Sequence, residues 1–129
     1  MNHTLCKEER LCGKKAISDL FTDGKNFFQS PYKVFWTKIS VTEELYRSRF
    51  AVSVPKRRFK RAVKRNLMKR RTREAFRTNK QILNEAVADG QQIHIMVVYS
   101  DDSLLPVTEL DAAMKKILQR IVRQNAESD

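Results

Sequence analysis

Between Lys56 and Arg77 runs KRRFKRAVKRNLMKRRTREAFR, with twelve lysines or arginines opposed by one acid, Glu74. This stretch nets +11, the net charge of the whole chain, so the rest of the molecule is neutral. Charge this dense repels itself and makes sense against a polyanion. Arg61, Arg65, Lys69, Arg73 and Arg77 recur every fourth residue. On a helix that spacing builds one drifting ladder, and each like-charged pair costs a few tenths of a kcal/mol. Phosphates along an RNA backbone convert the repulsion into attraction, and released counterions add entropy. Lys56 and Arg70 belong to the same candidate surface. Asn66 adds an amide able to hold a backbone turn or a ribose by hydrogen bonding.

Aromatic side chains are the second chemical resource. Phe21, Phe28, Phe35 and Trp36 all precede the basic stretch. A solvent-facing ring on a sheet can stack an unpaired base. Strand alternation puts Tyr32, Val34 and Trp36 on one face and Lys33, Phe35 and Thr37 on the other. Trp36 is therefore expected in the core, and Phe35, beside Lys33, is expected to meet ligand.

Catalysis by side chains is not expected. His3 and His94 are the only histidines. His94 sits in the apolar run IHIMVVY, where a structural role suits it. No Ser/His/Asp set, paired carboxylates or metal-ligand cluster emerges. His3, Cys6 and Cys12 match no standard zinc spacing, and two reduced thiols are expected.

The elements that must position these groups follow from pattern. A chain of 129 residues with 41% hydrophobic content suits one domain over 1–129, with residues 1–12 loosely ordered. No apolar run is long enough to span a membrane. The N-terminus lacks the apolar core of a signal peptide, which predicts a cytoplasmic protein. Ile17, Leu20 and Phe21 predict a first helix, stopped at Asp23 and Gly24 by a glycine able to take the left-handed backbone. Aromatic and β-branched residues predict strands over about 26–29 and 32–41, parted by Pro31. Glu43 and Glu44 fall in a loop. Phe50 to Val54 reads as a buried strand ended by Pro55. The basic helix is expected to begin near Phe59 and run at least five turns, with Ala62, Val63, Leu67, Met68, Ala75 and Phe76 scattered around it. Asp89 and Gly90 end that run, and Ile93 to Tyr99 forms a central strand. Thr108 is the expected N-cap of a last helix, with Asp111 in its first turn. Leu110, Met114, Ile117, Leu118 and Ile121 give that helix an apolar stripe. The sum is an α+β sandwich, helices against a small sheet.

The segment RFAVSVPKRRFKRAVKRNLMKRRTREAFR is similar to the signature of the bacterial ribonuclease P protein subunit family. Ser53 and Lys56 match its strand end. Arg65 and Asn66 match the start of an Arg-Asn-Arg triplet. Lys69 with Arg70, Arg73 with Glu74, and Ala75 with Phe76 match the remainder. Phe21, Gly24 and the region of Phe27, Phe28 and Ser30 fit the family's first helix and turn, and Phe35 falls on its strand aromatic. Leu67 replaces the last arginine of the triplet, Pro55 and Phe59 replace small residues, and Ile17 stands where an aromatic is common.

The resemblance spans about Arg10 to Arg123. It implies the order αβββαβα, with a small mixed sheet and a left-handed βαβ crossover like domain 2 of ribosomal protein S5. It further implies a catalytic RNA that holds Mg²⁺ and cleaves the 5′ leader from precursor tRNA. The basic helix would dock on that RNA. The leader would lie between sheet and first helix, near Phe21, Lys33, Phe35 and Ser53. Precursor tRNA and the catalytic RNA are the implied partners, with no membrane and no obligate protein partner. A generic RNA-binding or ribosome-associated protein would share the charge and the aromatics. A DNA binder using the basic helix in a major groove is a further alternative.

Overall fold

The computed structural model describes residues 14–40, 48–87 and 90–128. The expectations for the 1–12 tail with His3, Cys6 and Cys12, for Glu43 and Glu44, and for Asp89 lie outside these residues. The order is α1 (Lys14–Asp23), β1 (Lys25–Gln29), β2 (Tyr32–Ser40), β3 (Ser48–Ser53), α2 (Ala62–Asn84), β4 (Gln91–Tyr99) and α3 (Val107–Ser128). The strands form one sheet in the order β1-β2-β4-β3. β1 and β4 both pair antiparallel with β2, whereas β3 pairs parallel with β4. Parallel neighbours need a crossover, and α2 supplies it. The expected αβββαβα order and mixed sheet are therefore observed.

Alternation decides the layers. Tyr32, Val34 and Trp36 of β2, Ile93, Ile95, Val97 and Tyr99 of β4, Phe27 of β1 and Phe50 of β3 all enter the main core. Helices α2 and α3 cover that face. The whole predicted α3 stripe is buried. Phe50 stacks on Phe76 of α2 with ring centres 4.2 Å apart. Among the described residues, α1 alone covers the other face, and its Leu20 and Ile17 meet Met96, Phe35 and Ala51. Trp36 lies in the core as expected, its indole N–H donating to Oε1 of Gln124 at 2.8 Å.

The buried stripe of α2 is Met68, Thr72, Ala75, Phe76, Asn79 and Leu83, at regular helical spacing. Two of its members are polar, which hides the stripe from a search for apolar residues. Each is satisfied by a partner distant in sequence, as burial requires. The hydroxyls of Thr72 and Tyr32 lie 2.8 Å apart, and burial pushes the Tyr32 phenol pKa well above its ordinary value. Nδ2 of Asn79 donates to Oδ1 of Asp111 at 2.6 Å, tying α2 to α3.

Four local expectations are corrected. Helix α2 starts at Ala62 rather than near Phe59, because Phe59 is buried with its ring 6.0 Å from that of Tyr99. Holding that ring in the core turns the chain before the helix can start. Helix α3 starts at Val107, so Thr108 lies within it and is not the N-cap. The carbonyl of Pro106 takes the first bonds, from the N–H groups of Glu109 and Leu110. Glu109, not Asp111, is the first-turn acid. Gly24 is not in the left-handed region; Gly90 is, at φ 82°. Gly24 is required by close approach: a Cβ there would clash with the carbonyl oxygen of Leu20 and lie 3.1 Å from that of Trp36.

Candidate nucleic-acid interface

The basic residues are not equivalent once folded. Arg61 occupies the N-cap position of α2, with an extended backbone and no side-chain cap bond. Four residues later, Nη1 of Arg65 donates to the carbonyls of Phe59 and Lys60, both at 2.8 Å. Its guanidinium is turned back on the chain and holds the entry to α2. Arg77 pairs with Glu74 through both carboxylate oxygens. That contact lowers the Glu74 pKa and raises that of Arg77. Nη1 of Arg71 donates to the Leu105 carbonyl at 2.9 Å. Arg58 pairs with Asp102 at 3.1 Å.

Lys56, Lys60, Arg61, Lys64 and Arg70 are exposed, as is Asn66; Lys69 and Arg73 are half-buried. A four-residue step advances the ladder about 40° around a helix of 3.6 residues per turn. Lys69, Arg73 and Arg77 thus leave the buried stripe along one flank. Arg71 and Thr78, on the opposite flank, reach Leu105 and Asp111 on the α3 side. Asn84 meets Ser48 of β3. The cationic flank therefore runs along the side of α2 nearer the edge strand β3, away from α3.

A second surface forms on the α1 face of the sheet. The strand registers align Phe28, Lys33, Val98 and Ser53 in one row across all four strands. Asn26, Phe35, Met96 and Ala51 form the adjacent row. Helix α1 covers the second row through Leu20 and Ile17. Phe21, 46% exposed, meets Phe35 edge to face with centroids 4.5 Å apart. Nζ of Lys33 is 5.9 Å from the Phe35 ring centre and donates to Oδ1 of Asn26 at 3.3 Å.

Phe21, Lys33, Phe35 and Ser53, chosen from sequence, thus share one face of the sheet. Lys56 is close by in sequence, three residues past Ser53, where β3 runs out into the basic segment. The ladder and the aromatic surface lie on different sides of the molecule, because α2 packs on the opposite face.

Sequence reasoning missed the anchoring role of Arg65, which no spacing reveals. It counted Phe28 among the aromatic residues but left it out of the leader-binding set, although strand alternation forces one of the adjacent Phe27 and Phe28 to face outward. Nε2 of His94 lies 2.8 Å from Oε1 of Gln92 in a half-buried strand position. Among the described residues no group of three or more His, Cys, Asp or Glu side chains is placed to hold a metal ion. None of their helices is long and apolar enough to cross a membrane.

The sequence pattern of the ribonuclease P family matches residues 5–122. The ribonuclease P protein components of two Porphyromonas gingivalis strains are each 42% identical over 120 residues, covering 91% of this chain and 85% of theirs. Among solved structures, the RNase P protein of Thermotoga maritima superposes with a TM-score of 0.68 at 22% identity, over 87% of this chain and 96% of that one. The Staphylococcus aureus RNase P protein gives a TM-score of 0.68 at 18% identity, over 88% and 94%. The likeness to these two structures speaks for the fold.

Proposed function

Because this chain belongs to the ribonuclease P protein family, we propose that it partners a ribonuclease P catalytic RNA and assists removal of the 5′ leader from precursor tRNA. The observation that carries this reading is the pairing of two unlike surfaces on one small domain. A cationic flank of α2 suits a folded RNA backbone. The cluster of Phe21, Phe35 and Lys33 suits a short single strand, which needs stacking faces and few base-edge contacts.

In this reading Lys56, Arg61, Lys69, Arg70, Arg73 and Arg77 face phosphates of the catalytic RNA, with Asn66 at a ribose or backbone turn. Arg65 orients the chain that presents Lys60 and Arg61. Phe21, Phe35, Lys33 and Ser53 take the leader. The chain orients both RNAs, and the chemical step belongs to the catalytic RNA. Mg²⁺ supplies charge neutralisation at phosphates and activation of water. The described residues do not fit a site for that ion, and the reading leaves it to the RNA. The cytoplasm, where tRNA precursors are made in bacteria, is the compartment the reading assigns, with no obligate protein partner.

The test is reconstitution. With a bacterial ribonuclease P RNA, Mg²⁺ and low salt, adding this chain should stimulate cleavage of precursor tRNA at the mature 5′ end. The protein alone should leave the substrate intact. Stimulation no greater than that given by an unrelated basic RNA-binding protein would favour a generic RNA-binding role. Cleavage by the protein after removal of all RNA would overturn the division of labour.

A further inference from the structure

The leader surface proposed above contains one ring pair, Phe21 and Phe35. Phe28 belongs to neither that pair nor the core. It is 55% exposed, while its neighbour Phe27 is 5% exposed. The strand pleat sends Phe27 toward α3 and Phe28 to the α1 face. Helix α1 does not reach it: the helix packs on β2 and β4, and β1 lies at the edge of the sheet. The exposed Phe28 ring leaves apolar surface in water, and the groups beside it decide what could cover it.

Its neighbours specify the chemistry. Lys33 stands directly across from Phe28 in the β1–β2 register, and Phe35 is its diagonal neighbour, about 7–8 Å away by strand geometry. The Lys33 ammonium, steadied by Asn26 at 3.3 Å, lies near the Phe35 ring at 5.9 Å. Ring, cation and ring in sequence match base, phosphate and base of a single strand.

We propose that Phe28 is a further stacking subsite for single-stranded RNA. One leader base lies on Phe28 and its neighbour on the Phe35–Phe21 pair, with the phosphate between them at Lys33. The proposal rests on the leader reading above. A second copy of the chain pairing along the free edge of β1 is the competing occupant, disfavoured because it would extend the sheet in its own plane and leave the Lys33 cation, one strand further in, unused.

The experiment uses holoenzyme reconstituted with a bacterial ribonuclease P RNA. It compares mature tRNA with precursor tRNAs whose leaders grow one nucleotide at a time. 2-Aminopurine at single leader positions reports stacking. Phe28→Ala and Phe28→Leu should each lose roughly 5- to 150-fold of the affinity gained on lengthening the leader past one particular position. Phe28→Leu keeps apolar bulk but removes the ring. Quenching of 2-aminopurine at that position should be lost while mature tRNA binds as before. If the wild-type holoenzyme gains nothing from a leader, the leader reading itself falls, and this subsite with it. If the wild type gains but both variants track it at every leader length, the Phe28 subsite alone is overturned. Equal weakening of mature and precursor tRNA, or a dimer-to-monomer shift by light scattering without any leader effect, also overturns it.

Discussion

Replacing Arg65 tests whether the basic helix is merely a row of phosphate contacts. Its spacing assigns Arg65 to phosphate, yet in the fold Nη1 reaches the carbonyls of Phe59 and Lys60, both at 2.8 Å. No side chain caps the start of α2 at Arg61, so this anchor organises the entry to the helix. Hydrogen bonds to a charged group contribute about 1.5–3 kcal/mol when buried. Here Nη1 donates one hydrogen to each carbonyl, but the Lys60 bond is exposed and the Phe59 bond only part-buried, so solvent holds their joint contribution to the lower end. Arg65→Ala should cost about 1–2 kcal/mol, comparable to loss of a helix cap. The loss should be read as a lowered urea midpoint with an unchanged slope. Amide exchange should speed up across residues 58–61. Arg65→Lys keeps the charge but loses the planar fork, and should recover only part of the stability and of RNA affinity. The reasoning is refuted if both variants keep the wild-type midpoint and exchange, if Arg65→Lys binds RNA normally, and if Arg65→Ala only makes the salt dependence shallower.

Four further outcomes are expected. Lys69→Ala and Arg70→Ala should each reduce the log–log salt slope of RNA binding by about 0.7–0.9 if each meets one phosphate, measured by titration at several salt concentrations. Phe35→Ala should weaken precursor but not mature tRNA binding to the holoenzyme by about 1–3 kcal/mol; its stability cost should stay below the roughly 3–5 kcal/mol of a full core phenylalanine, because Phe35 is half-buried. Gly24→Ala should destabilise by about 1–3 kcal/mol in thermal unfolding, since the methyl meets the Leu20 carbonyl, which is backbone and cannot swing aside. Asp111 has its carboxyl pKa held below the ordinary 3.8, chiefly by the hydrogen bond from Asn79, against opposing burial, with Lys115 and Thr78 adding to the lowering. The stability it contributes is present above that value and is lost as pH falls through the lower folded value. Asp111→Asn should therefore flatten acid unfolding in this window, as read by denaturant midpoints.

Much of the fold is written in local pattern. The alternation of Tyr32 to Trp36, the apolar run Ile93 to Tyr99 and the stripe from Leu110 to Ile121 each announce one element and one buried face. These signals are legible because burial acts on every second residue of a strand and every third or fourth of a helix. The absence of glycine and proline from Lys56 to Ala88 marks a long helix, and the concentration of charge there marks its partner as an anion. Gly24 reads as a helix stop in the sequence, and the fold supplies a different reason for it: the carbonyls of Leu20 and Trp36 crowd the position.

What the sequence could not reveal depends on partners far apart in the chain. Thr72 and Asn79 are core positions because Tyr32 and Asp111 meet them across 40 and 32 residues. Before those contacts exist, a threonine and an asparagine in a basic helix read as surface. Phe59 leaves the helix because Tyr99 lies beneath it. Arg65 and Arg77 look like equal rungs in a ladder, and only the backbone turn before α2 and the placement of Glu74 separate their roles. The row of Phe28, Lys33, Val98 and Ser53 joins four strands whose register is fixed by pairing between residues as far apart as Tyr32 and Tyr99. Composition and periodicity are properties of neighbours along the chain and survive in the unfolded state. A surface assembled from four strands exists only after the sheet has closed, which is why the charge that suits a polyanion is legible in the sequence and the row that brings Phe28, Lys33 and Ser53 together is not.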